Sequence, residues 1–211
     1  MNSPWLTLSI GLLAQVFFSA RMLVQWVLSE RVKQVLSPTS FWVLSLTGAY
    51  LLFLYGWLRN DFSILLGQWV AYYIYLWNLK LKGVWPLWHP LLKLVLLLTP
   101  GLAMIWVAGH TDTFAARFLQ NNEVKPGLII FGTIGQMLFT MRFVYQWWYS
   151  YRKKESELPL GFWALSLVGS SLIFIYGWIR SDAVLMIGQA FGSLAYFRNM
   201  YLWLNQKKEK S

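Results

Sequence analysis

The sequence contains no cysteine, two histidines and only eight acidic residues in 211. Without cysteine, disulfides and thiol chemistry are excluded. Charge is scarce, 12% of residues against 57% hydrophobic, and this excludes an ordinary soluble domain. There is no glycine-rich phosphate loop, and no pair of carboxylates projects from the predicted helices. His89 and His110 stand near the ends of one apolar segment and read as loop or interface residues. The expectation is therefore no metal, no cofactor, no catalytic residue and no enzyme.

What is present is apolar length. Runs of about 20 residues nearly free of charge recur along the chain, enough to cross a ~30 Å hydrocarbon layer. Seven spanning helices are expected, near residues 5–28, 38–58, 62–81, 88–108, 127–149, 159–179 and 183–204. The fold class is thus an all-α polytopic membrane protein. Fourteen tryptophans suit a chain with two membrane interfaces to line. The net charge of +10 reads as basic cytoplasmic loops rather than a nucleic-acid surface. Arg31, Lys33, Lys80, Lys82, Arg152, Lys153, Lys154 and the tail lysines lie on one side, against Arg59, Arg117, Lys125 and Arg180 on the other. That count places the N-terminus outside and the C-terminus in the cytoplasm. Met1-Asn2-Ser3-Pro4 lacks the basic region of a cleaved signal peptide. Pro38 and Pro159 mark helix starts, where a missing N–H costs nothing, and Asp61 and Asp182 read as N-caps.

The chain repeats itself. Shifted by 121 positions, Gly11–Leu81 aligns with Gly132–Leu202 without a gap, and roughly four in ten residues match. Three units follow: a first three-helix repeat over 5–82, a connector over 83–126, and a second repeat over 127–206. Three crossings per repeat would invert the second copy. One extra crossing restores its direction, so the copies run parallel. Parallel repeats with a site between them form a transporter layout.

The polar residues fall in stripes. Gly11, Gln15, Phe18, Arg21 and Gln25 share an arc of about 120° on the first helix. Gln68, Ala71, Tyr75 and Asn78 share about 80° on the third. Gln136, Arg142, Gln146, Gln189, Tyr196 and Asn199 repeat them, and Arg198 is an extra cation of the second half. Such stripes face protein or water rather than lipid. The spacing of Gly67 and Ala71, and of Gly188 and Gly192, suggests close helix approach. Arg21 and Arg142 have two readings: snorkelling to headgroups, or binding a phosphate with Arg198 as a third donor. Gln25 and Gln146 read as carbonyl caps or substrate contacts, Asn78 and Asn199 as inter-helix links or ligands.

The motifs Arg-x-x-x-Gln-Trp (from Arg21 and Arg142), Pro-x-x-Phe-Trp-x-x-Ser-Leu-x-Gly (from Pro38 and Pro159), Tyr-Gly-Trp-x-Arg-x-Asp (from Tyr55 and Tyr176) and Gly-Gln-x-x-x-x-x-x-Tyr-x-x-Asn (from Gly67 and Gly188) occur once per half. Together they resemble the lipid-A-disaccharide synthase N-terminal domain family, here as a two-copy member. That family is similar to the PQ-loop, SemiSWEET and SWEET transporters, whose three-plus-one-plus-three layout agrees with the one above. The hinge proline of those carriers is absent, with Val24-Gln25 and Tyr145-Gln146 in its place. The resemblance implies envelope glycolipid assembly at a bacterial inner membrane.

The leading expectation is a transporter or flippase of a lipid-linked, phosphate-bearing sugar, such as a polyprenyl-phosphate sugar or another anionic glycolipid. Its phosphate would meet Arg21, Arg142 and Arg198. Its sugar would meet Gln15, Gln136, Gln68, Gln189 and the aromatics, with Tyr75 and Tyr196 among the lining residues. The alternatives are a SWEET-like carrier of small neutral sugars, or a non-catalytic membrane subunit partnering a glycosyltransferase.

Overall fold

A computed structural model describes residues 4–59, 62–109, 126–179, 181 and 183–209. Among them are seven α-helices: α1 Pro4–Val32, α2 Thr39–Arg59, α3 Phe62–Leu81, α4 Pro90–Ala108, α5 Pro126–Lys153, α6 Leu160–Ile179 and α7 Ala183–Glu209. A 3-10 turn, Trp85–Leu87, precedes α4. Trp5–Val32, Thr39–Leu58 and Leu160–Ile179 are long and apolar enough to cross a membrane, and Pro90–Trp106 is a shorter apolar stretch.

Helix starts follow proline. Pro90 opens α4, and His89 caps it by accepting the Leu91 N–H at Nδ1, 3.3 Å away. Pro38 and Pro159 stand one residue ahead of α2 and α6, and the Pro159 carbonyl accepts the Phe162 N–H at 3.0 Å. Asp61, Asp182 and His110 lie outside the described residues.

Helix ends correct the sequence boundaries. α1, α5 and α7 run several residues beyond the expected limits of 28, 149 and 204. The apolar run was a poor guide because the polar turns Ser29–Arg31 and Ser150–Arg152 stay helical. What stops α1 and α5 is a left-handed residue at matching positions, Lys33 (φ 54°) and Lys154 (φ 56°). At α1 the Gln34 N–H then bonds back to the Ser29 carbonyl at 3.1 Å. Gly83 (φ 72°) ends α3 in the same way, with the Val84 N–H bonded to the Leu79 carbonyl at 3.1 Å.

The chain forms two compact units. The first holds α1 up to Arg21 with α2, α3 and α4. The second holds α1 from Met22, the loop to Pro38, and α5, α6 and α7. The units therefore cut across the sequence repeats, because the last turns of α1 pack with the helices of the second repeat.

In the first unit, α2 packs along α3. Glycines set the spacing: a Cβ on Gly11 would meet the Tyr55 ring at 2.8 Å, and one on Gly48 would meet Phe18 at 2.8 Å. The second unit repeats this with Gly132 against Tyr176, and with Gly169 against the Phe139 backbone. Gly67 does not act this way, since a Cβ there would meet nothing within 4 Å. The close approach expected at that position is not observed. In the second unit, α6 buries Phe162, Trp163, Ser166, Gly169, Ser170, Ile173 and Gly177, a helical face with period near 3.6.

Helix α4 carries Pro100 in its interior. Proline has no N–H to offer the carbonyl four residues back, here that of Leu96. The Tyr72 hydroxyl donates to that carbonyl at 2.9 Å, and the Tyr73 hydroxyl donates to the Leu97 carbonyl at 2.9 Å. A neighbouring helix thus satisfies the freed backbone group, as an apolar surrounding requires.

Candidate functional site

Each unit holds one arginine in the same cage. Arg21 is 6% exposed, and its Nη1 donates to Ser45 Oγ (3.0 Å) and the Tyr75 hydroxyl (3.1 Å). Its guanidinium lies over the Phe18 ring, 4.5 Å from the centroid. Arg142 is 3% exposed and donates to Ser166 Oγ (3.3 Å) and the Tyr196 hydroxyl (3.2 Å), with Phe139 only 3.4 Å away. The repeated sequence builds this in steps. Gly48 and Gly169 admit Phe18 and Phe139, and those rings then face the cations. A ring face and neutral hydroxyls stabilise a desolvated guanidinium. Both side chains are buried, each in its own unit.

One turn further on, the glutamines hold backbone. Gln25 Nε2 donates to the Leu36 carbonyl at 3.2 Å, while Ser29 Oγ accepts the Leu36 N–H at 3.0 Å. Gln146 and Ser150 clamp Glu157 in the same way, at 3.0 and 3.1 Å. The loops that follow α1 and α5 are fixed at both polar groups of one residue. Gln25 also pairs with Asn199: its Nε2 donates to Asn199 Oδ1 at 2.8 Å, and Asn199 Nδ2 donates to Gln25 Oε1 at 3.1 Å. Asn78 and Asn199 each also donate to a carbonyl one turn back, at 2.9 and 2.8 Å.

The remaining residues of the polar stripes are dispersed. Gln15 and Gln136 are exposed, and Gln68 and Gln189 are half-buried. Tyr75 and Tyr196 are buried against Trp42 and Trp163, with ring centroids 6.0 and 6.2 Å apart.

Arg198 has a partner that sequence reasoning missed. Its Nε and Nη2 fork onto Glu30 at 2.7 and 2.6 Å, and Lys33 also bonds Glu30. Beside this pair lies an open groove of about 710 Å³, lined by Leu23, Trp26, Val27, Glu30, Arg31 and Arg198. All six lining residues belong to the second unit. The repeat alignment carried a signal for it. Val27 and Glu30 match Trp148 and Tyr151, and Arg198 matches Trp77, so bulky aromatics stand at the equivalent positions.

The model of one family, described as Lipid A Biosynthesis N-terminal domain, matches residues 10–80 and again 131–201. The chain belongs to this family. As a two-copy Lipid A Biosynthesis N-terminal domain protein, it is also similar to curated proteins named lipid-A-disaccharide synthase. That of Chlamydia pneumoniae is 26% identical across 97% of this chain and 34% of its own length. Those of Chlamydia caviae and Chlamydia muridarum are 30% and 32% identical, across 90% and 83% of this chain and 32% and 30% of theirs. The chain spans about a third of the length of these relatives. No solved structure matches it. The expected likeness to PQ-loop, SemiSWEET and SWEET transporters is not among these findings.

The expectation of no enzyme is overturned by the same relatives. They carry an enzyme's name and align with nearly all of this chain. The expectation had rested on catalytic motifs missing from 211 residues. Missing motifs in one region exclude nothing about an activity carried by a protein three times as long.

Proposed function

We propose that this chain serves lipid A disaccharide assembly as its membrane-embedded part, holding a phosphate-bearing, acylated sugar lipid where a glycosyltransferase works on it. Seven helices cross the membrane as two parallel three-helix repeats joined by α4, with the basic ends of α1, α5 and α7 at the cytoplasmic face. The observation that carries this reading is the two-copy family match, joined to relatives named for that synthesis. The groove on the second unit supports it, because apolar residues line it together with Arg31 and Arg198.

Affinity purification from native membranes tests the proposal. A glycosyltransferase recovered in fixed ratio, with disaccharide formation that falls when the chain is removed, is the expected result. Unchanged disaccharide formation in membranes lacking the chain would refute it.

A flippase is the second reading, favoured by the internal repeat with matching helix packing in both halves. It needs Arg21 and Arg142 to meet cargo, whereas both are held by serine, tyrosine and phenylalanine of their own units. Movement of a sugar-phosphate lipid across proteoliposomes by the chain alone would favour this second reading.

A further inference from the structure

We propose that the groove beside Glu30 and Arg198 is a binding site for an acylated lipid ending in a phosphate monoester, and that Glu30 occupies the phosphate's place when the site is empty. The chemical class of the occupant deepens the function proposed above and rests on it.

Shape is the first argument. At about 710 Å³ the groove falls within the range of small-molecule sites. Leu23, Trp26 and Val27 line it with apolar surface at successive turns of α1, which suits an acyl chain lying along the helix. Glu30 and Arg31 line it one turn nearer the C-terminus of α1, together with Arg198.

Charge is the second. Two cations, Lys33 and Arg198, bond the Glu30 carboxylate, and a third, Arg31, lines the same groove. Arg31 is exposed. The surplus of two positive charges matches a phosphate monoester, which carries about −1.5 to −2 near neutral pH. The single charge of the diester in bulk phospholipid matches it less well. Commitment to a monoester therefore comes from this count.

Geometry is the third. Glu30 uses both carboxylate oxygens on Nε and Nη2 of Arg198, the bidentate fork that a phosphate also takes. Both side chains are about one-third exposed, so an incoming anion can reach them. A phosphate would take over this fork and turn Glu30 out toward Lys33, which already bonds it. Competition of this kind lowers the apparent affinity, because the fork is open only part of the time. At the repeat-equivalent positions of Val27, Glu30 and Arg198 stand Trp148, Tyr151 and Trp77, although Trp26, Arg31 and Lys33 recur as Trp147, Arg152 and Lys154. The Glu30–Arg198 pair thus occurs once, with aromatics at the equivalent positions, which duplication alone does not produce.

The experiment measures binding of phosphatidic acid and phosphatidylglycerol of identical acyl chains to the purified full chain, by native mass spectrometry. Wild type should prefer the monoester about tenfold, a difference of one charge-assisted hydrogen bond. Arg31→Gln should lose most of that preference. Val27→Trp, copying the other repeat, should abolish binding of both lipids. Glu30→Gln should bind phosphatidic acid several-fold more tightly, a gain that misfolding would not produce. Equal binding of the two lipids, an unaffected Val27→Trp, or weaker binding by Glu30→Gln would each overturn the proposal. The assay contains no glycosyltransferase, so a chain that binds the monoester yet recruits no enzyme refutes only the broader function.

Discussion

Gln25 and Asn199 exchange two hydrogen bonds, at 2.8 and 3.1 Å, although 174 residues separate them. Both are fully buried, one on α1 and the other on α7. The pair ties the end of the first helix to the last. Gln25 also holds the Leu36 carbonyl, whereas Asn199 adds only a bond within its own helix. Gln25→Leu should therefore destabilise more than Asn199→Leu, each by about 1–3 kcal/mol for the polar groups left unpaired. The double variant should lose less than the sum, since the pair is mutual. Thermal unfolding in detergent reads both effects, and strictly additive losses would contradict a direct pair.

The arginine cages make a second prediction. Lysine keeps the charge but has neither the planar face nor the fork. Arg142→Lys should destabilise more than Arg21→Lys, because the Phe139 ring lies at 3.4 Å where Phe18 lies at 4.5 Å. The ring contact is worth about 2 kcal/mol or more when desolvated. Melting temperatures of the two variants decide the order, and equal loss would mean that the rings contribute little.

Much of this was legible beforehand, and the limits are physical. The repeat, the seven helices and the Arg-x-x-x-Gln spacing are local patterns, so periodicity exposed them. Ser45 and Ser166 stand inside a repeated motif, yet only the packing of α2 and α6 brings them to Arg21 and Arg142. Glu30 and Arg198 are 168 residues apart and opposite in charge, and no spacing rule links them. Gln25 could be read as a cap or a ligand contact, because an amide side chain serves both equally well. Only the position of the Leu36 carbonyl shows what it holds.

A third prediction uses the proline in α4. Tyr72→Phe removes the donor to the Leu96 carbonyl and should cost about 1–3 kcal/mol if that carbonyl stays unpaired. Pro100→Ala restores the helix's own N–H to that carbonyl. The double variant should then be more stable than Tyr72→Phe alone. If Pro100→Ala gives no rescue, Tyr72 is not serving the gap left by the proline.

A fourth concerns Lys154, which ends α5 at φ 56°. A side chain in the left-handed region costs about 1–2 kcal/mol that glycine avoids. Lys154→Gly should raise the melting temperature, whereas Lys154→Val should lower it. An unchanged melting point in both would mean that the turn relaxes.

Two glycines that look alike in sequence should behave oppositely. Gly11 and Gly67 both lie on helices and both recur in the second half, at Gly132 and Gly188. An alanine at 11 drives its Cβ to 2.8 Å from the Tyr55 ring, and Tyr55 must move or α1 must separate from α2. That overpacking should cost about 1–3 kcal/mol. An alanine at 67 meets open space and gains helix propensity, about 0.5–1 kcal/mol. Gly11→Ala should thus lower the melting temperature while Gly67→Ala leaves it level or raises it. If Gly67→Ala proved the more damaging, small-residue packing on α3 would be the stronger constraint, and the contact of Gly11 with Tyr55 would not set the helix spacing.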